Sequence, residues 1–95
     1  MWYDEYMRKT PKQLERYFKG AANHHRIAIL SLVAGKTNLA VQDIADELHA
    51  NFKTISQHTR SLVHAGLLNK KYRGRQVLHS LSPYGEKFLS FFKTF

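Results

Sequence analysis

The sequence contains no cysteine, which excludes disulfides and thiolate metal sites and suits a reducing compartment. It also lacks a long apolar run. The longest nearly apolar stretch, IAILSLVA at 27–34, falls far short of the roughly 18 residues that a membrane span needs. The opening residues, MWYDEYMRKT, carry acids early and show no apolar core followed by a cleavage site, so no signal peptide is expected. A cytoplasmic location without a membrane partner is the resulting expectation. Internal repeats, low-complexity segments and linker-like composition are missing too. So are the usual catalytic patterns: there is no HExxH, no phosphate-cradling glycine loop and no carboxylate cluster in the basic region. Neither an enzyme nor a bound cofactor is expected.

The most informative absence is acidic. Between Glu47 and Glu86 there is no Asp or Glu. That interval holds Lys53, Arg60, Lys70, Lys71, Arg73 and Arg75, with His49, His58, His64 and His79. The whole chain has a formal net charge of +8, yet its other segments hold nine basic and seven acidic residues. The excess charge therefore sits in one block. A one-sided positive field favours a polyanion, either nucleic acid or an anionic membrane surface; a merely solvated face is the plain alternative.

What is present suits a globular fold. Ninety-five residues, 43% of them hydrophobic, make a single domain over 1–95 with room for one modest core. Thr10-Pro11-Lys12-Gln13 reads as a capping box with proline at the first helical position. Leu14, Tyr17 and Phe18 then form an apolar stripe before Gly20. Asn23 can cap a second helix, with Ile27, Leu30, Val33 and Ala34 as its buried stripe and Gly35 as a left-handed stop. Asn38-Leu39-Ala40 reads as an extended connector. A third helix is expected over Val41 to His49, with Ile44, Ala45 and Leu48 inward and Asp43, Asp46 and Glu47 outward.

Asn51 can cap a fourth helix that Ala65-Gly66 ends, and Ile55, Thr59, Leu62 and Val63 mark its buried face. The period then changes from helix to strand. Leu68, Lys70 and Tyr72 alternate with Asn69 and Lys71, and Val77, His79 and Leu81 alternate with Leu78 and Ser80. Two short strands around Arg73-Gly74-Arg75 make a hairpin. Ser82-Pro83 opens a last helix. The expected fold is mainly α with a small β-hairpin: a winged helix-turn-helix of about five helices plus a wing.

Polar residues on the fourth helix then acquire a role. Lys53, Thr54, Ser56 and Gln57 occupy the N-terminal turns, the end that a recognition helix inserts into the major groove. Gln57 and Ser56 are expected at base edges, and Lys53, Thr54 and Arg60 at phosphates. Lys70, Lys71, Arg73 and Arg75 place cations on the wing, near the minor groove. Gln42, at the start of the third helix, could donate to a phosphate. Histidine protonation would strengthen such binding at mildly acid pH.

No metal site is expected among the histidines. His24 and His25 are adjacent, which is poor chelating geometry, and no pair stands at four-residue spacing. His79 is expected against the core, and His58 between helices or near a phosphate. Trp2, Tyr3, Tyr6, Phe88, Phe91, Phe92 and Phe95 exceed what so small a core can hide. Part of this stripe is expected in the core of the single chain, and the terminal segments are expected to form a two-fold homodimer interface, with a pocket for an aromatic ligand as the alternative. The partners expected are double-stranded DNA and a second copy of the chain. A winged-helix scaffold binding an acidic protein partner, without sequence readout, is the alternative.

These segments resemble the ArsR/SmtB family of bacterial and archaeal repressors. HHRIAILSLV at 24–33 resembles the family's helix before the helix-turn-helix. IADELHANFKTISQHTRSLVHAGLL at 44–68 resembles its DNA-binding helices, and YRGRQVLHSLS at 72–82 its wing. The likeness covers roughly residues 11–92; MarR-like and other winged-helix families share much of it. It implies a homodimer on operator DNA, often released when a metal ion is sensed. The family's cysteine-bearing motif would fall on Leu39-Ala40-Val41-Gln42-Asp43, where no thiolate stands. Its other common site uses carboxylate and histidine ligands on the last helix, where this chain offers Glu86 and no histidine.

Overall fold

Each helix begins where a side chain can accept from the unpaired N–H groups of its first turn or hold the chain entering it. The computed structural model describes residues 2–95, apart from the side chains of Tyr3 and Asp4. After a short 3₁₀ turn at Trp2–Glu5, helix α1 spans Pro11–Ala21. Gln13 N donates to Thr10 Oγ1 (3.2 Å) and Thr10 N to Gln13 Oε1 (2.9 Å), closing the capping box. Helix α2 spans His24–Gly35 behind Asn23, and α3 spans Val41–Glu47, with Asp43 Oδ2 accepting from Ala40 N at 3.0 Å. Helix α4 spans Phe52–His64 behind Asn51, and α5 spans Pro83–Phe92 behind Ser82. Between α4 and α5, β1 (Leu68–Arg73) and β2 (Gln76–Leu81) pair antiparallel, from Leu68↔Leu81 to Arg73↔Gln76.

The core is built on α2, which packs against α1, α3, α4, α5 and β2. Ile29, Leu30 and Val33 from α2 are buried with Ile44 and Ala45 from α3, Ile55 and Leu62 from α4, and Leu67 and Leu68. Truncating such a residue to alanine typically costs about 2–5 kcal/mol. The expected α2 stripe needs correction. Ile29 takes the buried place given to Ile27, which is 39% exposed, and Ala34 is exposed as well. A helix surrounded by five elements has no single inward stripe, so a spacing rule for half-buried helices misplaces one.

Other departures are local. Gly35 stays helical without a positive φ, and the left-handed residue is Asn38 (φ 62°). Helix α3 ends at Glu47 because His49 turns left-handed at φ 51°. The wing does not alternate as expected. On β1 only Leu68 is buried, since the hairpin leaves the body of the molecule. On β2 the consecutive residues Leu78 and His79 are both buried. Helices α2, α3 and α5 all contact β2, and both strand faces are covered there.

Candidate nucleic-acid interface

Asn51 sets the register of α4: its Oδ1 accepts from Thr54 N at 3.1 Å, and the four-residue turn 48–51 joins α3 to α4. Ile55, Thr59 and Leu62 then face the core. That leaves Lys53, Gln57 and Arg60 exposed and Thr54 and Ser56 at the margin. The polar face anticipated at this helix start is therefore presented to solvent.

At the other end of α4, Gly66 adopts φ 80° and turns the chain into β1. The hairpin that follows is held by more than its own ladder. Leu39, in the α2–α3 connector, forms an isolated bridge with His79, whose N donates to Leu39 O at 2.8 Å. The His79 ring is buried, with Nδ1 2.9 Å from the same oxygen, so its place is structural. The tip is the two-residue turn Gly74-Arg75. A positive φ at Gly74 (60°) but not at Arg75 is the pattern of a II′ turn.

Helix and wing meet in one groove of about 560 Å³. Ser56, Thr59 and Arg60 line it from α4, and Lys70, Tyr72 and Val77 from the hairpin. Thr59 is buried there, and its Oγ1 has no hydrogen-bond partner among the described residues. The Lys70 ammonium lies 5.8 Å from the Tyr72 ring centre. Among the residues expected at DNA, the fold thus brings Ser56, Arg60 and Lys70 together directly. Lys53, Thr54 and Gln57 lie on the first turns of the same helix. Lys71 and Arg73 fall on the opposite ribbon face from Lys70, because strand side chains alternate. Arg73 and Arg75 flank Gly74 at the exposed tip.

Gln42 stands apart. It is exposed on α3, but its Nε2 donates to Asp46 Oδ1 at 2.8 Å, so a phosphate would have to compete with a carboxylate. The acids of α3 stay exposed on that helix, where Glu47 pairs with Lys36 at 2.7 Å.

The terminal aromatic residues divide into two sets. Phe88 and Phe92 are half-buried against the core, while Phe91 (46%) and Phe95 (93%) are exposed. Trp2 and Tyr6 are also largely exposed; the Tyr3 side chain, expected with them, lies outside the described residues. Phe18 of α1 completes an edge-to-face series, 5.1 Å from Phe88 and 6.4 Å from Phe91 between ring centres. Beside it the Lys9 ammonium sits 5.0 Å from the Tyr84 ring centre and 5.4 Å from that of Tyr17. Its hydrogen bond to Tyr84 holds the ammonium pKa above, and the phenol pKa below, their ordinary values.

One contact between helices follows no motif in the sequence. Arg26, in the first turn of α2, donates to His58 on α4 at 3.0 Å. A lone cation entering an apolar helix was its only signal. No group of three or more His, Asp or Glu among the described residues could hold a metal ion, and no helix among them is long and apolar enough to cross a membrane.

Comparison with known proteins agrees with this architecture. A family model described as bacterial regulatory protein, arsR family, matches residues 23–70. Among solved structures, HlyU from Vibrio cholerae is 24% identical, with 90% of this chain and 94% of that one covered and a TM-score of 0.78. A homodimeric winged helix-turn-helix DNA-binding domain from Mycobacterium bovis, a possible ArsR-family transcriptional regulator, is 25% identical, with 87% and 77% covered and a TM-score of 0.78. HlyU from Vibrio vulnificus, a transcriptional regulator, is 20% identical, with 99% and 97% covered and the same TM-score of 0.78. The comparison with curated proteins found no match.

Proposed function

This chain belongs to the arsR family of bacterial regulatory proteins, and from that premise we propose that it is a homodimeric repressor that reads a palindromic operator. The family and the fold are those of transcriptional regulators rather than enzymes. The observation that carries the finer reading is the groove in which Ser56 and Arg60 of α4 meet Lys70 of the wing, within the acid-free block from residue 48 to 85. Helix α4 would enter the major groove by its first turns, with Ser56 and Gln57 at bases and Lys53, Thr54 and Arg60 at phosphates. Arg73 and Arg75 would follow the neighbouring minor groove, with Lys70 and Lys71 supporting the wing. Gln42 is the weakest of the expected contacts, since it must leave Asp46.

The exposed aromatic face of α1, α5 and the N-terminal turn supports the dimer, and the Mycobacterium bovis domain is described as homodimeric. A two-fold axis there would present two α4 helices to successive major grooves, about 34 Å apart. A cytoplasmic protein that needs no cofactor completes the reading.

Random-site selection with the purified protein tests it: an inverted repeat should emerge. On the selected duplex, Gln57→Ala should relax preference at one base pair per half-site, by roughly 1–3 kcal/mol. Arg75→Ala should weaken selected and scrambled duplexes alike and reduce the salt slope by about one per protomer. Recovery of no common motif would instead favour an acidic protein as the partner of the basic face.

A further inference from the structure

We infer that Arg26 and His58 form a positioning pair that keeps the recognition helix in its reading orientation only while His58 is neutral. The inference rests on the DNA-binding reading above. Its basis is a single half-buried guanidinium on α2 with partners on two other helices. Arg26 Nε donates to His58 Nδ1 on α4 at 3.0 Å. Its Nη1 donates to the carbonyl oxygens of Lys19 and Gly20 in the last turn of α1, both at 3.2 Å. Its own backbone N is capped by Asn23 Oδ1 at 3.4 Å. One side chain thus ties the end of α1 and the start of α2 to the middle of α4.

The bond to His58 fixes a protonation state. A ring nitrogen that accepts from a guanidinium carries no hydrogen, so the neutral ring holds its proton on Nε2. Protonation would give Nδ1 a hydrogen facing another donor. The bond would be lost and two cations would stand in contact. The other groups facing His58 sharpen this effect. His25 stacks on it, with ring centres 5.2 Å apart, and His24 lies 4.1 Å from His25. All three flanking side chains come from α2 and are basic, while α1 contributes only carbonyls, through Arg26.

Burial, then Arg26, then His25 and His24 hold the His58 pKa below its ordinary 6.5. A depressed folded-state pKa means that the pair is intact above about pH 6.5 and is lost as pH falls through the lower folded-state value.

The consequence should appear in discrimination rather than in bare affinity. His58 directly follows Gln57, and base contacts tolerate only a few tenths of an ångström. Long cationic side chains at phosphates tolerate more, and protonated histidines add attraction for any DNA. Acid pH should therefore loosen sequence choice without weakening binding overall.

Two measurements on the full chain test this. The first is ring-nitrogen NMR of the free protein, which should show His58 as the Nε2–H tautomer, titrating below pH 6.5. The second is the affinity ratio of the selected operator to a scrambled duplex between about pH 8 and pH 5.5. The wild-type ratio should drop about tenfold as His58 protonates, the scale of one lost base contact. His58→Asn places an uncharged oxygen where Nδ1 accepts, and its ratio should be high and independent of pH. Arg26→Lys keeps the charge but not the fork, and its ratio should be low at every pH. An Nδ1–H tautomer, or titration at or above pH 6.5, overturns the pairing whether or not DNA binds. A His58→Asn protein that keeps the wild-type pH profile overturns it as well. If no duplex is preferred at any pH, the DNA reading fails, while the tautomer still decides the pairing.

Discussion

Gly85→Ala is expected to destabilise the protein by about 3 kcal/mol, at the upper end of ordinary overpacking costs. For a domain of this size that lowers the melting temperature by roughly 12–24 °C. Gly85 lies in the first turn of α5, where a methyl group would overlap the Leu67 carbonyl oxygen and press on the Leu81 side chain. That carbonyl cannot move freely, because Ser82 N donates to it at 3.2 Å. Ser82 Oγ also donates to Gly66 O at 2.6 Å while accepting from Gly85 N at 3.0 Å. The end of α4, the start of β1 and the start of α5 are thus joined at one point. Gly35→Ala is the matched control. A methyl group there meets nothing within 4 Å, so it should stabilise by about 0.4–1 kcal/mol. Thermal denaturation followed by circular dichroism compares the two. If Gly85→Ala melted with the wild type, the close approach of α5 to Leu67 would be wrong.

Phe91→Asp should separate the proposed dimer and lower operator affinity about 100-fold or more at a fixed protomer concentration, because the second half-site is then bound independently. Phe91 is nearly half exposed in the single chain, 5.1 Å from Phe95 and 6.4 Å from Phe18 between ring centres. Solvent can therefore accept a carboxylate there, and the melting temperature of the monomer should change little. In a two-fold interface the same carboxylate would be desolvated beside its copy, which is strongly unfavourable. Sedimentation shows the change of mass. Binding to an isolated half-site serves as the control and should remain as in the wild type. A variant that still sediments as the wild-type dimer would place the interface on another face.

The features legible in the sequence were those set by local chemistry. Thr10, Asn23, Asn51 and Ser82 were readable as caps because a side-chain oxygen just before a helix meets an unpaired N–H two or three residues further on, whatever the tertiary structure. Gly66 and Gly74 were readable for a similar reason, since each chain reversal needs a positive φ. The acid-free block was legible from composition alone, and of its residues expected at DNA the groove gathers Ser56, Arg60 and Lys70. What was not legible depends on neighbours distant in sequence. Ile29 is buried and Ile27 is not because five elements surround α2. Leu78 is buried because β2 is covered on both sides. Gly85 reads as an ordinary helix residue until Leu67 is known to lie against it. The Arg26–His58 contact spans 32 positions, and neither residue belongs to a motif that announces the other. Phe88 and Phe92 could not be told from Phe91 and Phe95 by spacing, since the division between core and surface falls within one turn.

A DNA-reading surface shared by α4 and the wing is tested most directly by backbone-amide NMR during titration with the selected duplex. Amides of residues 52–60 and of the tip at 73–76 should shift or broaden together at the same DNA concentration, while those of the aromatic face at 84–95 stay nearly unmoved. Changes confined to α1 and α5, or to α4 with the hairpin tip unaffected, would contradict it.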